Sequence, residues 1–224
     1  MLYIVPTPLG NLDDITRRAV TVFGTVSAIY SEDTRRTRQL LTHLGISTPI
    51  LRYKDRDQNL ADKIIARLAV GEDIALASDA GMPVVSDPGV TLVGAVRAAG
   101  LPITVLPGAC AVPAAVAGSG LPGDAFVFLG FLPRTPGKQK KALQAAAALG
   151  RTIVVYESPF RVRKLFENAV EALGPNAQAA FCRELSKLHE EWRHGTVASI
   201  LESIPEKTPQ KGEFVVLFHP EPRP

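Results

Sequence analysis

The sequence has few of the residues that build metal sites and disulfide frameworks. Its 224 residues include two cysteines, Cys110 and Cys182, which form no C-x-x-C pair. The four histidines are scattered and form no H-E-x-x-H pair. We therefore expect no metal ion and no disulfide, and we expect both thiols to be buried in a reducing compartment.

Signals for export or membrane insertion are also missing. The N-terminus has neither the charged region nor the long apolar run of a signal peptide. The most apolar region, residues 90–120, is interrupted by glycines and prolines, so it is not expected to span a membrane. These absences predict a cytoplasmic protein.

Neither of two common phosphate-binding motifs, G-x-G-x-x-G and G-x-x-x-x-G-K-[ST], occurs in the chain. A dinucleotide or a nucleoside triphosphate held in a glycine-rich cradle is therefore disfavoured. Aromatic residues make up only 6% of the sequence, so extensive stacking on nucleic-acid bases is not expected.

Charge is distributed unevenly, although the whole chain has a net charge of only +3. Residues 35–56 contain six bases and one acid, and residues 134–164 contain eight bases and one acid. Residues 68–133, in contrast, contain one base and five acids. A single basic block is usually a solvated surface. Two such blocks around an acidic segment favour an anionic macromolecule bound beside a site of different polarity.

Apolar runs that alternate with amphipathic stretches predict strands alternating with helices, and hence a mostly parallel sheet with helices on its faces. The first series has strands at residues 2–5, 28–30, 74–77 and 103–106, with its first helix at residues 13–23. A second series follows the glycine-rich segment near residues 119–124 and includes a helix capped by Ser158. We expect two α/β domains, residues 1–120 and residues 121–224, with a frayed tail at the end.

Three loops follow predicted strands, at residues 6–11, 78–89 and 107–110. Ligands of open α/β sheets bind beyond the carboxyl ends of the strands. The loop at residues 78–89 carries Asp79 and Asp87, whose carboxylates suit a cation or hydroxyl donors and repel phosphate. A turn-rich connection with two helix-capping aspartates is the alternative interpretation.

Several motifs along the chain match a family pattern. Residues 78–89 read S-D-A-G-M-P-V-V-S-D-P-G, and residues 4–16 read I-V-P-T-P-L-G-N-L-D-D-I-T. Shorter motifs are S-E-D-T-R at 31–35, Y-E-S-P-F-R at 156–161, R-E-L-S-K at 183–187 and K-G-E-F at 211–214. Together they resemble the ribosomal small-subunit RNA methyltransferase I family of the tetrapyrrole methylase superfamily, over nearly the whole chain.

This resemblance implies S-adenosylmethionine as the methyl donor, bound in a cleft between two α/β domains. It also implies 2′-O-methylation of a cytidine ribose in 16S ribosomal RNA of the assembled small subunit, by a homodimer. S-adenosylmethionine carries a sulfonium and an ammonium against one carboxylate, so an acidic pocket without phosphate-binding features suits it.

The resemblance also implies which residues bind the donor: Leu9, Ser78, Asp79, Ala80, Gly81, Met82, Pro83, Ala111, Val112, Tyr156 and Leu185. Met82 departs from the family pattern, in which threonine is most frequent. A thioether cannot donate a hydrogen bond, so a contact to the donor is expected to be absent there or supplied by the backbone.

Removal of the ribose hydroxyl proton could need a base. The candidates are Asp33, Glu184 and Lys187, because they lie in polar motifs at strand ends. For each of them, a structural ion pair with a nearby arginine is the alternative interpretation.

RNA phosphates are expected to bind the bases Arg35, Arg36, Lys138, Lys140, Lys141 and Arg161. Because Arg35, Arg36 and Arg38 face more than one side of one helix, at least one should pack or pair internally. Such contacts give an affinity that falls with salt and little sequence preference. Many family members continue past the K-G-E-F motif, so RNA binding by this chain is expected to rely on its basic blocks.

Two other functions stay open from the sequence. A tetrapyrrole methyltransferase would share the fold and the donor, and its anionic macrocycle could also use basic residues. The S-E-D-T-R motif and the long signature at residues 78–89 favour the RNA branch instead. A non-enzymatic RNA-binding protein would fit the basic blocks but would leave the acidic loop without a purpose.

Overall fold

The computed structural model describes residues 1–206 and 211–220. The chain forms two compact units, Met1–Cys110 and Ala111–Pro224. This division falls earlier in the chain than the boundary expected after residue 120, and the extent of each domain as a folding unit stays a prediction. Residues 221–224, most of the expected frayed tail, lie outside the described residues.

The first unit is built on a sheet of five parallel strands. They are β1 Leu2–Val5, β2 Ala28–Ser31, β3 Ile50–Arg52, β4 Ile74–Ala77 and β5 Ile103–Val105, in the order β3-β2-β4-β1-β5. Strands β1, β2 and β4 are almost entirely buried, because apolar clusters cover both faces of the sheet. Parallel pairing brings the carboxyl ends of all five strands to one edge.

Four α-helices pack against this sheet: α1 Arg17–Thr25, α2 Thr34–His43, α3 Gln58–Ala69 and α4 Val90–Ala98. The helix predicted over residues 13–23 is wrong at its start. Asp13 and Asp14 belong to a short 3-10 helix, and α1 begins after Thr16, whose hydroxyl accepts a hydrogen bond from the backbone N–H of Ala19. Strand β3 is not predicted by the sequence pattern, because three residues are too few to show a period.

Within residues 111–206 and 211–220, the second unit has five more strands and four more helices. They are α5 Ala111–Gly118, β6 Phe126–Phe131, α6 Pro136–Ala147, β7 Thr152–Glu157, α7 Val162–Leu173, β8 Gln178–Arg183, β9 Glu191–Thr196, α8 Val197–Ser203 and β10 Phe214–His219. The strand order is β6-β7-β10-β8-β9, and among these described strands only β6 and β7 pair in parallel. The α/β class is therefore confirmed. A mostly parallel sheet is found in the first unit, whereas the second sheet is mixed.

The predicted cap of α7 is wrong. The helix begins at Val162, and the Ser158 hydroxyl accepts a hydrogen bond from the backbone N–H of Phe160, in the turn that precedes the helix. The N–H of Ser158 is itself held by the Glu157 carboxylate at 2.7 Å. The N–H groups of Arg161 and Val162 bind the carbonyl of Ser158 in this turn, and the helix starts several residues later than the sequence pattern predicts.

Aromatic and aliphatic side chains fill the core of the second unit on the face covered by α6 and α7. Phe181 packs edge-on against both Phe166 and Phe214, with ring centroids 6.3 and 5.3 Å apart. Gly118, the last residue of α5, lies against the indole of Trp192.

No helix in the described part of the chain is long and apolar enough to cross a membrane.

The packing of Gly118 yields a stability prediction. A Cβ atom there would lie 2.6 Å from Cζ2 of Trp192, so Gly118→Ala is expected to destabilise the protein by about 1–3 kcal/mol through overpacking. The control is Gly94→Ala in α4, where a Cβ meets no atom within 4 Å. It is expected to stabilise the protein by up to about 1 kcal/mol. Urea unfolding of both variants measures the difference, and an equal effect of the two substitutions contradicts this packing.

Candidate functional site

The candidate site lies at the carboxyl edge of the first sheet, where five loops meet. Strands β4 and β1 are neighbours in this sheet, so the loop at residues 78–89 lies beside the loop at residues 6–11. The loops after β2 and β3 follow on the other side of β4. This edge therefore joins the S-D-A-G-M-P-V-V-S-D-P-G motif to the motifs at residues 4–16 and 31–35.

Backbone pairing fastens the first turn of the 78–89 loop to the end of β1. Thr7 and Gly81 each donate an N–H to the other's carbonyl oxygen, both at 2.9 Å. The Ser78 hydroxyl donates to the Gly81 carbonyl at 2.5 Å, and the Thr7 hydroxyl donates to the Ser78 carbonyl at 3.1 Å. Because Thr7 and Ser78 are buried, these bonds are shielded from water.

Gly81 is required by this arrangement for two reasons. Its backbone is left-handed, with φ of +83°, which other residues adopt only with strain. A Cβ atom on Gly81 would also lie 2.9 Å from Cδ2 of Leu9. The structure thus brings together Leu9, Ser78 and Gly81, three of the residues expected to bind the donor.

The same loop stores backbone strain beyond Gly81. Val84 and Ser86 have φ of +75° and +63°, although neither is a glycine. A β-branched residue in this region is a genuine outlier and costs about 1–3 kcal/mol. Such strain persists only where the surroundings hold the backbone in place.

Hydrogen bonds between side chains and backbone join both ends of the 78–89 loop to the neighbouring loops. Asp79 Oδ1 accepts a hydrogen bond from the backbone N–H of Asp33, at 3.0 Å. Asp55 Oδ1 accepts from the N–H of Gly89 at 3.3 Å and from the Tyr53 hydroxyl at 2.9 Å. Burial and then the bond to Asp55 raise the pKa of Tyr53 above its ordinary value, so the phenol stays a donor.

Sequence reasoning missed three of these supporting residues: Thr7, Tyr53 and Asp55. Thr7 stands inside the motif at residues 4–16, which was a usable signal. Tyr53 and Asp55 follow the short strand β3 and carry no comparable signal. Of the remaining loop residues expected at the donor, Ala80 and Met82 are half-buried and Pro83 is buried.

Asp33 caps the start of α2 and pairs with Arg35. Its carboxylate accepts hydrogen bonds from Nε and Nη2 of Arg35 at 3.1 and 3.0 Å, and from the backbone N–H of Arg35 at 3.0 Å. These bonds, those from the side chain first, lower the pKa of Asp33 to about 2. An acid of this strength has a conjugate base that accepts a proton weakly at neutral pH.

Glu184 and Lys187, in the second unit, bind each other. Glu184 Oε1 accepts from Lys187 Nζ and from the backbone N–H of Glu213, both at 2.9 Å, and Lys187 Nζ also donates to Glu213 Oε2 at 2.9 Å. Burial alone would raise the pKa of Glu184, but these hydrogen bonds outweigh it and lower the pKa. Burial opposes the charge of Lys187, yet its two carboxylate partners raise its pKa. The pair joins the R-E-L-S-K and K-G-E-F motifs.

Four further residues expected at the donor lie in the second unit. Tyr156, the next-to-last residue of β7, forms an aromatic cluster with Phe128 and Phe131, at centroid distances of 4.9 and 5.6 Å. Leu185 follows β8 at the same edge of the second sheet, since Phe214 pairs with both Glu157 and Arg183. Ala111 is half-buried and Val112 is buried, both in the first turn of α5.

The bases expected to bind RNA fall into two groups. Three are engaged in ion pairs: Arg35 with Asp33, Lys140 with Glu171 at 2.5 Å, and Arg161 with Glu157 at 3.2 Å. Arg161 also donates to the carbonyl oxygen of Leu132 at 3.0 Å. The other three, Arg36, Lys138 and Lys141, are exposed and form no ion pair within residues 1–206 and 211–220.

The two cysteines differ in burial. Cys182 is buried, and burial raises the pKa of its thiol to about 12. Cys110 is half-buried, so the expectation of two buried thiols holds only for Cys182. Across the described part of the chain, no three histidine, cysteine, aspartate or glutamate side chains come together as a metal site.

Comparison with known proteins places these motifs in a wider group. The chain matches the family described as Tetrapyrrole (Corrin/Porphyrin) Methylases over residues 1–201. It is 43% identical over 218 residues to the ribosomal RNA small subunit methyltransferase I of Xylella fastidiosa, which covers 96% of this chain and 80% of that protein. Identity to the protein of the same name from Vibrio cholerae is also 43%, over 98% of this chain and 77% of the relative.

A solved structure shares the fold. The chain is similar to uroporphyrin-III C-methyl transferase from Thermus thermophilus complexed with S-adenyl homocysteine, with a TM-score of 0.66 over 96% of both chains. Their sequence identity is 16%, so this likeness concerns the fold alone.

The Asp33–Arg35 pair predicts a specific titration. In a carbon-detected NMR titration, the Asp33 carboxyl is expected to have its midpoint near pH 2. Arg35→Gln should move the midpoint up toward the ordinary value of 3.8, whereas Arg38→Gln, on the same helix, should leave it in place. The stability from this pair is thus present above pH 3.8 and is lost as the pH falls through about 2. An Asp33 midpoint near 3.8 in the unaltered protein is incompatible with the pairing.

Proposed function

Because the chain belongs to the tetrapyrrole methylase family and, within it, to the ribosomal RNA small subunit methyltransferase I family, we propose that it methylates the 2′-oxygen of a cytidine ribose in 16S ribosomal RNA, with S-adenosylmethionine as the donor. The observation that carries this proposal is the 43% identity to two such methyltransferases over nearly the full chain. The chemistry of the 78–89 loop supports it.

This loop fits a donor that bears positive charge. The loop contains Asp79 and Asp87 and no base. Asp79 Oδ1 is used by the N–H of Asp33, while Oδ2 makes no hydrogen bond among the described residues and can accept one from an ammonium group. When bound, S-adenosylmethionine supplies a methyl group activated by a sulfonium.

We assign donor binding in the first unit to Leu9 and residues 78–83, and in the second unit to Ala111, Val112, Tyr156 and Leu185. The fixed turn from Ser78 to Gly81 offers preorganised backbone groups, which cost little entropy when a ligand binds. Met82 cannot donate a hydrogen bond, so the backbone supplies any polar contact there.

The chain's residues act mainly by holding the ribose oxygen in line with the methyl group, since correct orientation is the largest contribution to a displacement of this kind. The low pKa of Asp33 and the ion-paired state of Glu184 make both weak proton acceptors. As a charged ammonium, Lys187 donates hydrogen bonds to two carboxylates and has no lone pair to accept a proton. We therefore propose that these three residues position their loops and that solvent takes the hydroxyl proton.

We further propose a homodimer that acts in the cytoplasm on the assembled small ribosomal subunit. The names of the relatives support the RNA of that subunit as the substrate.

A transfer assay tests the function. The protein is incubated with methyl-labelled S-adenosylmethionine and, separately, with small subunits reconstituted from unmodified RNA, with protein-free ribosomal RNA, and with a corrin precursor. We expect label in ribosomal RNA, with small subunits as the better substrate. Label in the corrin precursor alone would establish the tetrapyrrole alternative, and no label in any arm would favour a non-enzymatic RNA-binding protein.

Asp79→Asn tests the role of the acidic loop. The substitution keeps the acceptor for the N–H of Asp33 but removes the charge, so the affinity for S-adenosylmethionine is expected to fall about tenfold while RNA binding is unchanged. Asp62→Asn, which removes an exposed charge from α3, is the matched control and should change neither affinity. Isothermal titration calorimetry measures the affinity for S-adenosylmethionine. Equal losses of affinity for S-adenosylmethionine and for RNA would show that Asp79 has no specific role in donor binding.

A further inference from the structure

Three exposed bases lie on the same edge of the first sheet as the 78–89 loop. Arg36 is in the first turn of α2, after β2, and Lys54 and Arg56 follow β3. The chain leaving β3 runs beside the chain leaving β2, because the N–H of Tyr53 donates to the carbonyl of Ser31 at 2.8 Å. We call Arg36, Lys54 and Arg56 the basic strip.

Three of the four acids around the basic strip, Asp33, Asp55 and Asp57, accept hydrogen bonds from groups of the protein. Asp55 accepts from the Tyr53 hydroxyl and the N–H of Gly89, and Asp57 accepts from the N–H of Leu60 at 3.1 Å as the cap of α3. Asp33 pairs with Arg35, whereas Glu32 and Asp57 are exposed and form no ion pair among the described residues. Within the same residues, Arg36, Lys54 and Arg56 form no ion pair. The bases of the strip therefore face solvent, whereas three of the nearby carboxylates are engaged in hydrogen bonds within the protein.

Hydrogen bonds fix the basic strip relative to the acidic loop. The loop after β2 is joined to the start of the 78–89 loop by the contact between Asp33 and Asp79, and the loop after β3 is joined to its end by the contact between Asp55 and Gly89. Since the sheet order is β3-β2-β4, the sign of the charge changes along one edge, from basic at β3 and β2 to acidic at β4. A polyanion on the strip would lie next to the loop without covering it.

We infer that the basic strip binds the phosphodiester backbone of the RNA substrate beside the nucleotide that is methylated. Guanidinium and ammonium groups on flexible side chains neutralise phosphates and carry little sequence information, so the strip orients the strand without selecting it. Arg56 has a left-handed backbone, with φ of +65°, in the turn that leads into α3. This inference rests on the proposed function for the identity of the polyanion, and it adds Lys54 and Arg56 to the bases assigned to RNA.

The test compares two double variants that lose the same charge from the same unit. Lys54→Gln/Arg56→Gln removes two bases of the strip, and Lys63→Gln/Arg97→Gln removes two exposed bases from α3 and α4. Binding of a fluorescent single-stranded oligoribonucleotide is measured by anisotropy over a series of salt concentrations. Thermal unfolding and S-adenosylmethionine binding are measured on the same samples, and both are expected to match the unaltered protein.

The expected result is a change in the salt dependence. Each phosphate contact to a single strand adds about 0.7 to the slope of log K against log salt, so the strip variant should lose about 1.4 from the slope. The Lys63→Gln/Arg97→Gln variant should keep the slope of the unaltered protein. A full slope in the strip variant, or equal losses in both double variants, overturns the inference.

The outcome is separable from that of the proposed function. If the protein methylates ribosomal RNA while the strip variant keeps its full slope, the strip assignment fails and the function stands. If the strip variant loses slope but the unaltered protein labels no RNA, the function fails and the strip is retained as an RNA-binding surface.

Discussion

The mutual hydrogen bonds between the backbones of Thr7 and Gly81 are the constraint on which the candidate site depends. They join the ends of two neighbouring strands, and the buried hydroxyls of Thr7 and Ser78 reinforce them. A glycine at this position adopts the left-handed backbone without strain and leaves room for the side chain of Leu9. Once this turn is fixed, the strained backbone at Val84 and Ser86 can be maintained, because the loop is also tied at Gly89 by Asp55.

The order of strands in the first sheet turns a charge pattern along the chain into an arrangement in space. Strands β2 and β3 precede β4 in sequence, and β2 lies directly beside β4 in the sheet. The basic residues after β2 and β3 are therefore brought next to the acidic loop after β4. An enzyme that joins a cationic methyl donor to a polyanionic RNA needs these two environments within one site, and each would be weakened if the charges were mixed.

Much of the first unit could be predicted from the sequence, because its strands and helices are long enough to show a period. The strands Leu2–Val5 and Ile74–Ala77 are examples. The mixed second sheet could not be predicted, since β10 lies between β7 and β8 through pairings of Phe214 with residues far away in the chain. The cap predicted at Ser158 is wrong, because the Ser158 hydroxyl is bonded within a turn and the helix begins only at Val162.

The candidate site, too, could be predicted only in part from the sequence. The motifs correctly indicated that Leu9, Ser78 and Gly81 belong together, since loops that follow parallel strands meet at one edge. The partners of the polar residues were not predictable. Asp33 and Glu184 stand at strand ends in motifs that suit a catalytic base, yet the bonds from Arg35 and Lys187 that lower their pKa values depend on side-chain positions. Supporting residues such as Tyr53 and Asp55 are visible only in three dimensions.

The position of the transferred methyl group shows whether S-adenosylmethionine, bound at the 78–89 loop, gives its methyl group to a ribose oxygen. Unmodified small subunits are treated with the protein and S-adenosylmethionine, and the RNA is digested to nucleosides for mass spectrometry. We expect 2′-O-methylcytidine as the new nucleoside. A cytidine methylated on its base, or the absence of any methylated nucleoside from RNA, would contradict it.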